Sequence, residues 1–506
     1  MNFTDNGSNE DVFRRVETCL ESHPSVKRAA VVPRTNKSGK QVNVAFVELE
    51  GHIEADGTKE FERGHVSEWE GIFNATYSGS LPNLDTSLQQ VGWNSSYTGL
   101  PIEMEEMDDW LSATLKRISY LKRNHILEIG CGTGMLLDRL ADSFTSYVGT
   151  DFSEKTVESL RQKFTRTISG NKSISIILAE AKDFSKIPKG PYDLIIINSV
   201  VQYFPGVDYL DFVMKNAVEL LSDGGAIFIG DVRDYRLIDE FHLSVLLHGT
   251  RNKIRSRSDT HEQLARGVDS ETELLIDPTW FHLLSAPLSS ALTTTVQPKI
   301  SKFANEMSSF RYDVVIRKGS LASVAQPVRW LECSPTEVTV EFIRNLLANA
   351  DGQPFGLSRL ENPFISPFVS DFRETILKLE KSRANKTISC YEFASICQQM
   401  GYRAYFFTTP ADSASTYNVV VSEIDSTIDF ELPNGVFLDS ENRRLSNDPL
   451  FGQKNASVAV SLRAFVEKHL PGLAPRTIVR TASIPLTSNG DVDRTALLSR
   501  VHTQTI

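Results

Sequence analysis

Cysteine is scarce in this chain, and its spacing could not organise a fold. The 506 residues include five cysteines. No two of them form a Cys-x-x-Cys pair, and their number is odd. An odd, scattered set argues against a disulfide framework and against a zinc site. We therefore expect a protein of a reducing compartment that has no structural metal.

Long apolar runs and an excess of positive charge are also missing. The longest apolar runs, such as residues 194–197, are far too short to cross a bilayer. The N-terminus shows no basic region followed by an apolar stretch. The formal net charge is −11, which repels a nucleic-acid backbone at long range. These absences predict a cytoplasmic protein that binds neither membrane nor nucleic acid.

The remaining composition is that of an ordinary globular protein. Hydrophobic residues make up 41% of the chain and charged residues 23%, so a packed core is expected. A chain of this length suggests about two to four domains. Residues 51–64 are polar and predict a linker. Before it, a short helix and two strands at 29–32 and 42–47 are expected.

Between residues 125 and 230, short apolar stretches alternate with amphipathic ones. The predicted strands are His125–Ile129, Tyr147–Thr150, Ile174–Leu178, Leu194–Asn198 and Ala226–Gly230, and the predicted helices are Met135–Phe144, Ser153–Phe164 and Tyr209–Leu221. This alternation predicts an α/β fold with a parallel sheet and helices on both faces. A helix at 105–120 precedes it. Later segments predict a strand at 310–316, helices at 338–348, 370–379, 390–400 and 458–469, and strands at 402–407, 418–422 and 477–482.

The first strand runs into a glycine-rich loop, EIGCGTG at 128–134. Glycines let a backbone approach a ligand closely, and the helix that follows has an electropositive N-terminus. The spacing G-x-G-x-G differs from the dinucleotide pattern G-x-G-x-x-G. It suits a nucleotide-type cofactor whose charged end is an amino acid, held by Glu128, Gly130, Gly132 and Gly134. The alternatives are a plain connecting turn and, for Cys131, a packed side chain rather than a nucleophile.

Polar residues also follow the next three strands. Asp151 ends the second strand, where an acidic side chain accepts hydrogen bonds from ribose hydroxyls. Glu180 and Ala181 follow the third strand, where an adenine edge would lie. Asn198 ends the fourth and faces the centre of the cofactor. The carboxyl ends of parallel strands are where such sheets bind ligands, so the pattern predicts S-adenosyl-L-methionine as the cofactor.

Methyl transfer requires the nucleophile and the methyl group to be held in line, and an amine nucleophile must also be neutral. The candidate catalytic residues are Tyr203, Gln202, Asp231 and His242. Each has a structural alternative. Gln202 and Tyr203 could close the loop, Asp231 could cap the next segment, and His242 could be a satisfied, partly buried histidine.

Five further residues are weaker candidates. Arg233 could pair with a neighbouring aspartate, and Arg311 with Glu306. Trp93 and Tyr97 could form a lid over the cofactor or pack in the core.

Several stretches resemble the methyltransferase domains that are inserted into adenylation domains of nonribosomal peptide synthetases. They are VGWNSSYTGLPI from 91, HILEIGCGTGMLL from 125, YDLIIINSVVQYFP from 192, IGDVRDY from 229, LLIDPTWF from 274, NEMSSFRYDVV from 305 and RWLECSP from 329. The resemblance implies a Rossmann-like class I methyltransferase sheet with helical additions. It also implies nitrogen as the methyl acceptor, in an amino acid or peptide.

The two ends resemble the small C-terminal subdomain of an adenylation domain, through HPSVKRAAVV from 23 and IPLTSNGDVDRTAL from 484. The resemblance divides the chain into a split subdomain (10–52 and 456–500), a methyltransferase domain (65–320) and its C-terminal extension (321–455). Asp491 stands where that family has a lysine that serves adenylate formation, and a carboxylate there repels phosphate. The sequence contains no adenylation core or carrier domain, so we do not expect amino-acid activation.

Three functions stay open at this point. The chain could N-methylate an amino acid, peptide or related metabolite, with a nonribosomal peptide synthetase as a partner, or O-methylate a free small metabolite. It could be a non-catalytic synthetase remnant that docks on a partner. It could also be a dinucleotide-dependent reductase with a similar sheet. The intact loop argues against the second function, and the loop spacing against the third.

Overall fold

The chain forms two compact units in a computed structural model. The structure describes residues 9–35, 41–50, 58–78, 92–165, 172–249, 257–288, 292–319, 328–331, 338–378, 387–410, 412–424, 444–481 and 483–501. One unit takes its described residues from 1–65, 253–272 and 449–506, and the other from 66–252 and 273–448. The start of the 91–102 motif, Cys333 and residues 51–57 of the expected linker lie outside the described residues.

Helices and strands follow one another along the described parts of the chain. The helices are α1 (Asn9–Glu21), α2 (Thr58–Ser78), α3 (Met104–Ile118), α4 (Met135–Leu140), α5 (Glu154–Thr165), α6 (Val207–Leu220), α7 (Ile238–Gly249), α8 (Arg257–Asp269), α9 (Pro278–Leu288), α10 (Glu306–Ser309), α11 (Val340–Ala348), α12 (Ser366–Thr375), α13 (Cys390–Gln399), α14 (Phe451–His469) and α15 (Arg494–Val501). The strands are β1 (Val26–Thr35), β2 (Gln41–Leu49), β3 (His125–Ile129), β4 (Ser146–Asp151), β5 (Ser173–Leu178), β6 (Tyr192–Asn198), β7 (Leu221–Arg233), β8 (Leu292–Pro298), β9 (Arg311–Lys318), β10 (Arg329–Leu331), β11 (Phe355–Glu361), β12 (Tyr402–Phe407), β13 (Thr416–Glu423) and β14 (Thr477–Arg480).

The larger unit is built on a seven-stranded sheet with the order β5-β4-β3-β6-β7-β9-β8. Neighbouring strands from β5 to β7 are parallel, and β9 is antiparallel to both of its neighbours, β7 and β8. The strand order reverses between β3 and β6, and ligands bind at such a switch point in open α/β sheets. The predicted Rossmann-like class I methyltransferase sheet is confirmed.

Both faces of this sheet are buried. Leu194 and Ile196 of β6 pack with residues of α3, α4 and α5, whereas Ile195 and Ile197 pack with residues of α6 and α9. All seven residues of β6 are buried. Burial on both faces explains why this strand reads as a continuous apolar run rather than an alternating one.

A four-stranded sheet, in the order β10-β11-β13-β12, belongs to the same unit. Its core contains Phe355, Phe393 and Tyr417, each almost fully buried. Helix α13 begins with a capping box, in which the Ser389 side chain accepts from the backbone of Glu392 and the Glu392 side chain accepts from the backbone of Ser389. This sheet lies within the region predicted as the C-terminal extension.

The smaller unit contains a three-stranded sheet in the order β1-β2-β14. Strand β14 pairs in parallel with β2, with Ile478 opposite Ala45. The buried Glu48 accepts hydrogen bonds from Lys27 (2.6 Å) and from the backbone of Ile484 (3.0 Å). Segments more than 400 residues apart in sequence therefore share one sheet.

Some expectations about secondary structure are wrong, and one strand of the large sheet was missed. Residues 58–64 are not linker, because they form the first part of α2. Helix α4 was expected to reach Phe144, but it ends at Leu140. Just after this end, the Ser143 hydroxyl donates a hydrogen bond to the Leu140 carbonyl (2.8 Å). Strand β8 was not predicted, because its residues are mostly polar and only Val296 and Pro298 are buried.

None of the described helices has the length and apolar character that crossing a bilayer requires.

Candidate functional site

A single cavity collects most of the residues that the sequence singled out. It lies at the carboxyl ends of β3, β4, β5 and β6, and its empty volume, with the open solvent at its mouth included, is about 1140 Å³. The described residues that line it are Val66, Phe73, Gly92, Trp93, Trp110, Glu128, Gly130, Cys131, Gly132, Thr133, Met135, Leu136, Asp151, Phe152, Ala179, Glu180, Ala181, Asn198, Ser199, Val200, Tyr203, Phe204 and Tyr209. Every predicted cofactor-binding residue except Gly134 is among them.

The three loop glycines serve different purposes. All have positive φ, at +74° for Gly130, +50° for Gly132 and +79° for Gly134. A Cβ on Gly130 would lie 2.5 Å from Val200, and one on Gly134 would lie 2.7 Å from Leu160. No atom lies within 4 Å of a Cβ placed on Gly132. Gly130 and Gly134 therefore permit close packing, whereas Gly132 leaves open the space that a ligand would enter.

Asp151 holds the loop and also faces the cavity. Its carboxylate accepts hydrogen bonds from the backbone N–H groups of Gly132 and Ser153, both at 2.9 Å. Burial raises the pKa of Asp151 to about 6, against the opposing effect of these hydrogen bonds. The carboxylate is therefore mostly ionised at neutral pH, with oxygen lone pairs left for hydroxyl donors.

Glu128 lies deeper in the site, only 3% exposed. Burial raises its pKa to about 8, the Tyr147 hydroxyl donates to its carboxylate and opposes that shift, and the charge of Asp151 adds to it. Glu128 is thus largely protonated in the free protein at neutral pH. A cation placed beside it would favour the ionised form.

The ionisable groups in the cavity wall are acids, of which Asp151 is mostly ionised and Glu128 is largely protonated in the free protein. Glu128, Asp151 and Glu180 line the cavity, and no lysine, arginine or histidine occurs among its described lining residues. Glu180 has a raised pKa, caused first by burial and then by the charge of Asp183. Such a wall attracts ammonium and sulfonium groups and repels phosphates. A dinucleotide is therefore a poor fit.

Asn198 ends β6 at the floor of the cavity. Its Nδ2 donates to the Ser199 hydroxyl at 3.2 Å, and its Oδ1 has no hydrogen-bond partner among the described residues. The Ser199 hydroxyl donates onward to Asp231 at 3.1 Å. Gly230 on the neighbouring strand makes room for this side chain, because a Cβ there would lie 2.0 Å from Asn198 Oδ1.

Asp231 lies behind the cavity wall and is fully buried. It sits at a bulge of β7 with a φ of +67°. Its carboxylate pairs with Arg311 and Lys299 and accepts hydrogen bonds from the wall residues Trp110 (3.2 Å) and Ser199. Burial alone would raise the pKa of Asp231, but the two cations and these donors outweigh it and lower the pKa. The lowered pKa favours the ionised form of Asp231, and its catalytic role remains a prediction.

The same buried network continues beyond Asp231. Asp313 accepts from the backbone of Asp231 (2.8 Å), from Lys299 (3.0 Å) and from Arg117. The network ties α3 to β7 and β9 and supports the part of the wall formed by Trp110 and Ser199. Asp231 does not cap the following segment; Asp234 does, by accepting from the backbone of Arg236 (3.0 Å).

Tyr203 lines the cavity within an aromatic group. Its ring centroid lies 4.5 Å from that of Trp69 and 5.1 Å from that of Phe73. Burial raises the pKa of Tyr203, and the charge of Glu273 adds to the rise. The phenol therefore stays protonated and can donate a hydrogen bond within the cavity.

Besides Asp231, two more of the predicted catalytic residues do not line the cavity. Gln202 is buried, and its backbone carbonyl accepts a hydrogen bond from the backbone N–H of Leu274 at 2.7 Å. His242 lies on α7 with its ring 5.3 Å from that of Phe241. Their catalytic roles remain predictions.

The weaker candidates pair differently from the expectation. Arg233 pairs with Glu273 at 2.7 Å and lies over the Phe241 ring. Arg311 pairs with Asp231. Glu306 instead accepts from the backbone of Ser96 at 3.0 Å.

Of the two candidate lid residues, one lines the cavity and the other does not. Trp93 lines the cavity and its ring lies 4.9 Å from that of Trp110. Tyr97 does not line it, and its hydroxyl shares a hydrogen bond with Ser244 at 3.1 Å.

Helix α2 supplies cavity residues that the sequence analysis missed. Val66 and Phe73 line the cavity, and Trp69 packs on Tyr203 between them. Their spacing of three and four residues is the signal of one helix face. Asn74 of the same helix accepts from the Ser153 hydroxyl at 2.7 Å, beside the end of β4.

The comparisons with known proteins agree with this geometry. A family model described as a methyltransferase domain matches residues 127–227. The chain is 29% identical over 511 residues to chondramide synthase cmdD of Chondromyces crocatus, and 31% identical over 484 residues to the probable non-canonical nonribosomal peptide synthetase CymA of Salinispora arenicola. These alignments cover 96% and 95% of the chain but only 13% and 6% of those proteins. The chain thus spans a small part of the relatives it matches.

Solved structures of methyltransferases also match. The N-methyltransferase NodS from Bradyrhizobium japonicum is 18% identical, with a TM-score of 0.30, covering 43% of this chain and 99% of NodS. Magnesium protoporphyrin IX methyltransferase ChlM from Synechocystis, with bound SAM, is 11% identical, with a TM-score of 0.33, covering 50% of this chain and 97% of ChlM.

The domain match, the relatives and the glycine-rich loop at the strand switch point lead to one assignment. The chain contains a methyltransferase domain, matched at residues 127–227, and nearly all of its length is similar to segments of nonribosomal peptide synthetases.

Proposed function

We propose that the chain transfers a methyl group from S-adenosylmethionine to a nitrogen of an amino acid or peptide in a nonribosomal peptide pathway. The observation that carries this is a cavity lined by Glu128, Asp151 and Glu180 with no cationic side chain among its described lining residues. Such a cavity attracts a cationic cofactor. The resemblance to synthetase methyltransferase domains supports nitrogen as the acceptor.

The cofactor residues have distinct roles in this proposal. Glu128 holds the ammonium group, Asp151 accepts from the ribose hydroxyls, and Glu180 and Ala181 contact the adenine. Gly132 leaves the loop open on the cavity side. When bound, S-adenosylmethionine supplies a methyl group attached to a positively charged sulfur.

The residues of the chain chiefly orient the reactants and exclude water. Part of the cavity wall is formed by the aromatic rings of Tyr203, Trp93 and Phe73. We propose that the Tyr203 hydroxyl donates a hydrogen bond to the substrate that receives the methyl group. Asp231, with its lowered pKa, acts through Ser199 and Trp110. The proton released after methyl transfer passes to water at the open mouth of the cavity.

The assignment of domains belongs to the same proposal. We propose that residues 65–320 form the methyltransferase domain, 321–455 its extension, and 10–52 with 456–500 a split adenylation-type subdomain. Helix α8 departs from this division, because it lies in the smaller unit. A nonribosomal peptide synthetase is the proposed partner.

Calorimetric titration of the purified chain with S-adenosylmethionine tests the proposal. We expect micromolar binding that Asp151→Ala weakens by about 1–3 kcal/mol, the usual cost of stranding buried polar partners. Asp142→Ala is the matched control, because that side chain is fully exposed. Tight binding of NADH, or no binding of S-adenosylmethionine to a folded sample, would overturn the proposal.

A further inference from the structure

Arg311 presents donor atoms that the described protein leaves unused. It is the first residue of β9 and lies opposite Arg233 of β7, at the edge of the sheet where β6 also ends. Its Nη1 donates to Asp231, which is its one hydrogen bond among the described residues. A guanidinium has five N–H donors in a planar fork, so the edge formed by Nε and Nη2 stays free.

This free edge can be reached from solvent. The Arg311 side chain is 15% exposed. Its nitrogen atoms are not among the fully buried polar atoms without a partner that occur in the described residues, whereas Asn198 Oδ1 is one of those atoms. A ligand oxygen can therefore approach the guanidinium directly.

Two residues that line the cavity are neighbours of Arg311. The Ser199 hydroxyl and Arg311 Nη1 both donate to Oδ2 of Asp231, so these two donors lie close together. Burial raises the pKa of Tyr203 and the charge of Arg311 acts in the opposite direction, which places the phenol within electrostatic range of the guanidinium. Ser199 and Tyr203 follow β6, while the residues proposed to contact adenine follow β5, three strands away. Arg311 thus lies on the side of the cavity away from the adenine position.

Arg311 belongs to a cluster of charged side chains in which acidic and basic groups are equal in number. The members of this cluster are Arg117, Arg233, Lys299 and Arg311 together with Asp231, Asp313, Glu273 and Glu306. Burial alone would lower the pKa of Arg311, but the charges of Asp231, Glu273 and Glu306 outweigh it and raise the pKa. The guanidinium is therefore a permanent cation whose charge is already compensated.

This balance of charge favours a neutral ligand at the free edge. A ligand carboxylate would add an uncompensated negative charge close to Glu273 and Glu306, and those carboxylates would repel it. A carbonyl oxygen of a thioester or an amide can accept hydrogen bonds from Arg311 without adding a charge.

We propose that the free edge of Arg311 binds the carbonyl oxygen of a neutral acyl group on the substrate and so places the nitrogen beside that group at the cavity. This inference rests on the proposed function and names its substrate class as α-aminoacyl thioesters or amides rather than free amino acids. In these compounds the carbonyl carbon is bonded to the carbon that bears the nitrogen. A carbonyl held at Arg311 therefore leaves the nitrogen a short distance away, near Ser199 and Tyr203.

Arg311→Lys tests the inference, because lysine keeps the positive charge beside Asp231 but loses the second edge of the fork. Arg236→Lys is the matched control. Arg236 forms a similar ion pair with Asp234, its side chain is 10% exposed, and it does not line the cavity. Melting temperature should show that both variants are folded.

The probes differ in the carbonyl group. They are the N-acetylcysteamine thioesters of alanine, valine and phenylalanine, the three free amino acids, and ethylamine, isobutylamine and phenethylamine, which lack the carbonyl. Calorimetry with bound S-adenosylhomocysteine measures their affinities. We expect the wild-type chain to bind at least one thioester, and to bind the matching free amino acid and amine at least tenfold more weakly.

The variant should affect only the probes that carry a carbonyl. Arg311→Lys should weaken thioester binding about tenfold, because a hydrogen bond from a charged donor is lost, and leave amine binding unchanged. Comparing the two proteins for each probe cancels differences in amine basicity. In methyl transfer, the KM for the thioester should rise about tenfold and kcat should change less than threefold, since the carbonyl is not a reacting group. Arg236→Lys should change neither parameter.

Several results would overturn the inference. They are an unchanged KM for the thioester in Arg311→Lys, an equal loss for thioester and amine, a loss of S-adenosylmethionine affinity of more than threefold, or binding of none of the probes. Binding of free amino acids by the wild-type chain as tightly as thioesters would also overturn it, and this measurement needs no variant. Failure of the wild-type chain to bind S-adenosylmethionine would instead overturn the proposed function itself.

Discussion

Two carboxyl groups in one cavity differ in protonation because their surroundings differ. Asp151 accepts two backbone hydrogen bonds, and its pKa of about 6 leaves it mostly ionised at pH 7. Burial, helped by the charge of Asp151, raises the pKa of Glu128 to about 8, although the Tyr147 hydroxyl donates a hydrogen bond that opposes the rise. At the scale of single residues, one carboxyl is therefore prepared for hydroxyl donors and the other responds to a cation.

Binding of S-adenosylmethionine is expected to release about one proton from Glu128 at pH 7, because the ammonium group favours the carboxylate that the free protein keeps protonated. The affinity should consequently rise as the pH increases from 6 to 8. Calorimetry at pH 7 in buffers of different ionisation enthalpy measures the protons released.

Glu128→Gln is the control for this effect, since it cannot ionise. It should remove both the proton release and this rise in affinity. The raised pKa also means that the free wild-type protein loses stability as the pH rises from about 4.5 to 8, because the folded form keeps a proton that the unfolded form releases. Proton uptake on binding would contradict the assignment of Glu128 to the ammonium group.

At the scale of elements, the loop between β3 and α4 shows why three glycines in one motif are not equivalent. Gly130 and Gly134 lie against Val200 and Leu160, while Gly132 has open space in front of it. The shared motif identifies the loop, but each residue's role follows from what the neighbouring helix and strand place beside it.

Alanine substitutions in this loop should separate stability from binding. Gly132→Ala should cost about 1–2 kcal/mol of stability, because only its positive φ is strained. Gly134→Ala should cost about 3 kcal/mol, because a collision with Leu160 is added. Chemical denaturation measures both. For the same loss of stability, Gly132→Ala should weaken S-adenosylmethionine binding more than Gly134→Ala does. Equal stability losses for the two variants would contradict this interpretation.

The buried ion pairs of Asp231 and Asp313 join α3, β7 and β9. Asp231→Asn leaves Arg311 and Lys299 without their full counter-charge, and we expect a loss of about 3–5 kcal/mol. Because the folded pKa of Asp231 is lowered, its contribution is present above the unfolded value of about 3.9 and is lost as the pH falls through the folded pKa.

Asp211→Asn is the comparison for this loss, because it breaks an exposed pair with Lys215 on α6. That variant should change the free energy of unfolding by less than about 0.5 kcal/mol. Guanidinium denaturation followed for the larger unit measures both variants. If Asp231→Asn lost as little stability as Asp211→Asn, the buried ion pairs would contribute no net stability.

At the scale of the whole molecule, the smaller unit depends on both ends of the chain. Strand β14 completes the sheet of β1 and β2, and Leu462 and Val466 of α14 lie in the same core as Val16 and Leu20 of α1. A three-stranded sheet with its helices is close to the smallest arrangement that can be stable.

Removal of residues 449–506 is therefore expected to unfold the smaller unit. Amide hydrogen exchange in β2 should rise to the rate of an unstructured chain, because β2 loses its parallel neighbour and the helix packed on it. Exchange in β3 and β6 should change little, and S-adenosylmethionine should still bind. Unchanged protection of β2 would show that the first segment folds without the last.

Local patterns in the sequence determined much of the central sheet and the cofactor loop. Strand β3 has the predicted bounds, His125–Ile129, and β6 begins two residues earlier than predicted. A fully buried parallel strand needs apolar residues at every position, so it can be recognised without its neighbours. The loop after β3 can be recognised for a similar reason, because its glycines and its spacing are local requirements.

The tertiary structure alone decided which residues meet at the cavity. Helix α2 packs its aromatic residues on Tyr203, and β8 is a mostly polar strand held at the sheet edge, and neither was predicted. Asp231 and Arg311 join Ser199 in one hydrogen-bonded group, although they follow it by more than 30 and 110 positions in the chain. Such contacts depend on long-range packing and burial, which local spacing cannot specify. The sequence therefore determined the loop and sheet, and the packing of distant elements decided the site around them.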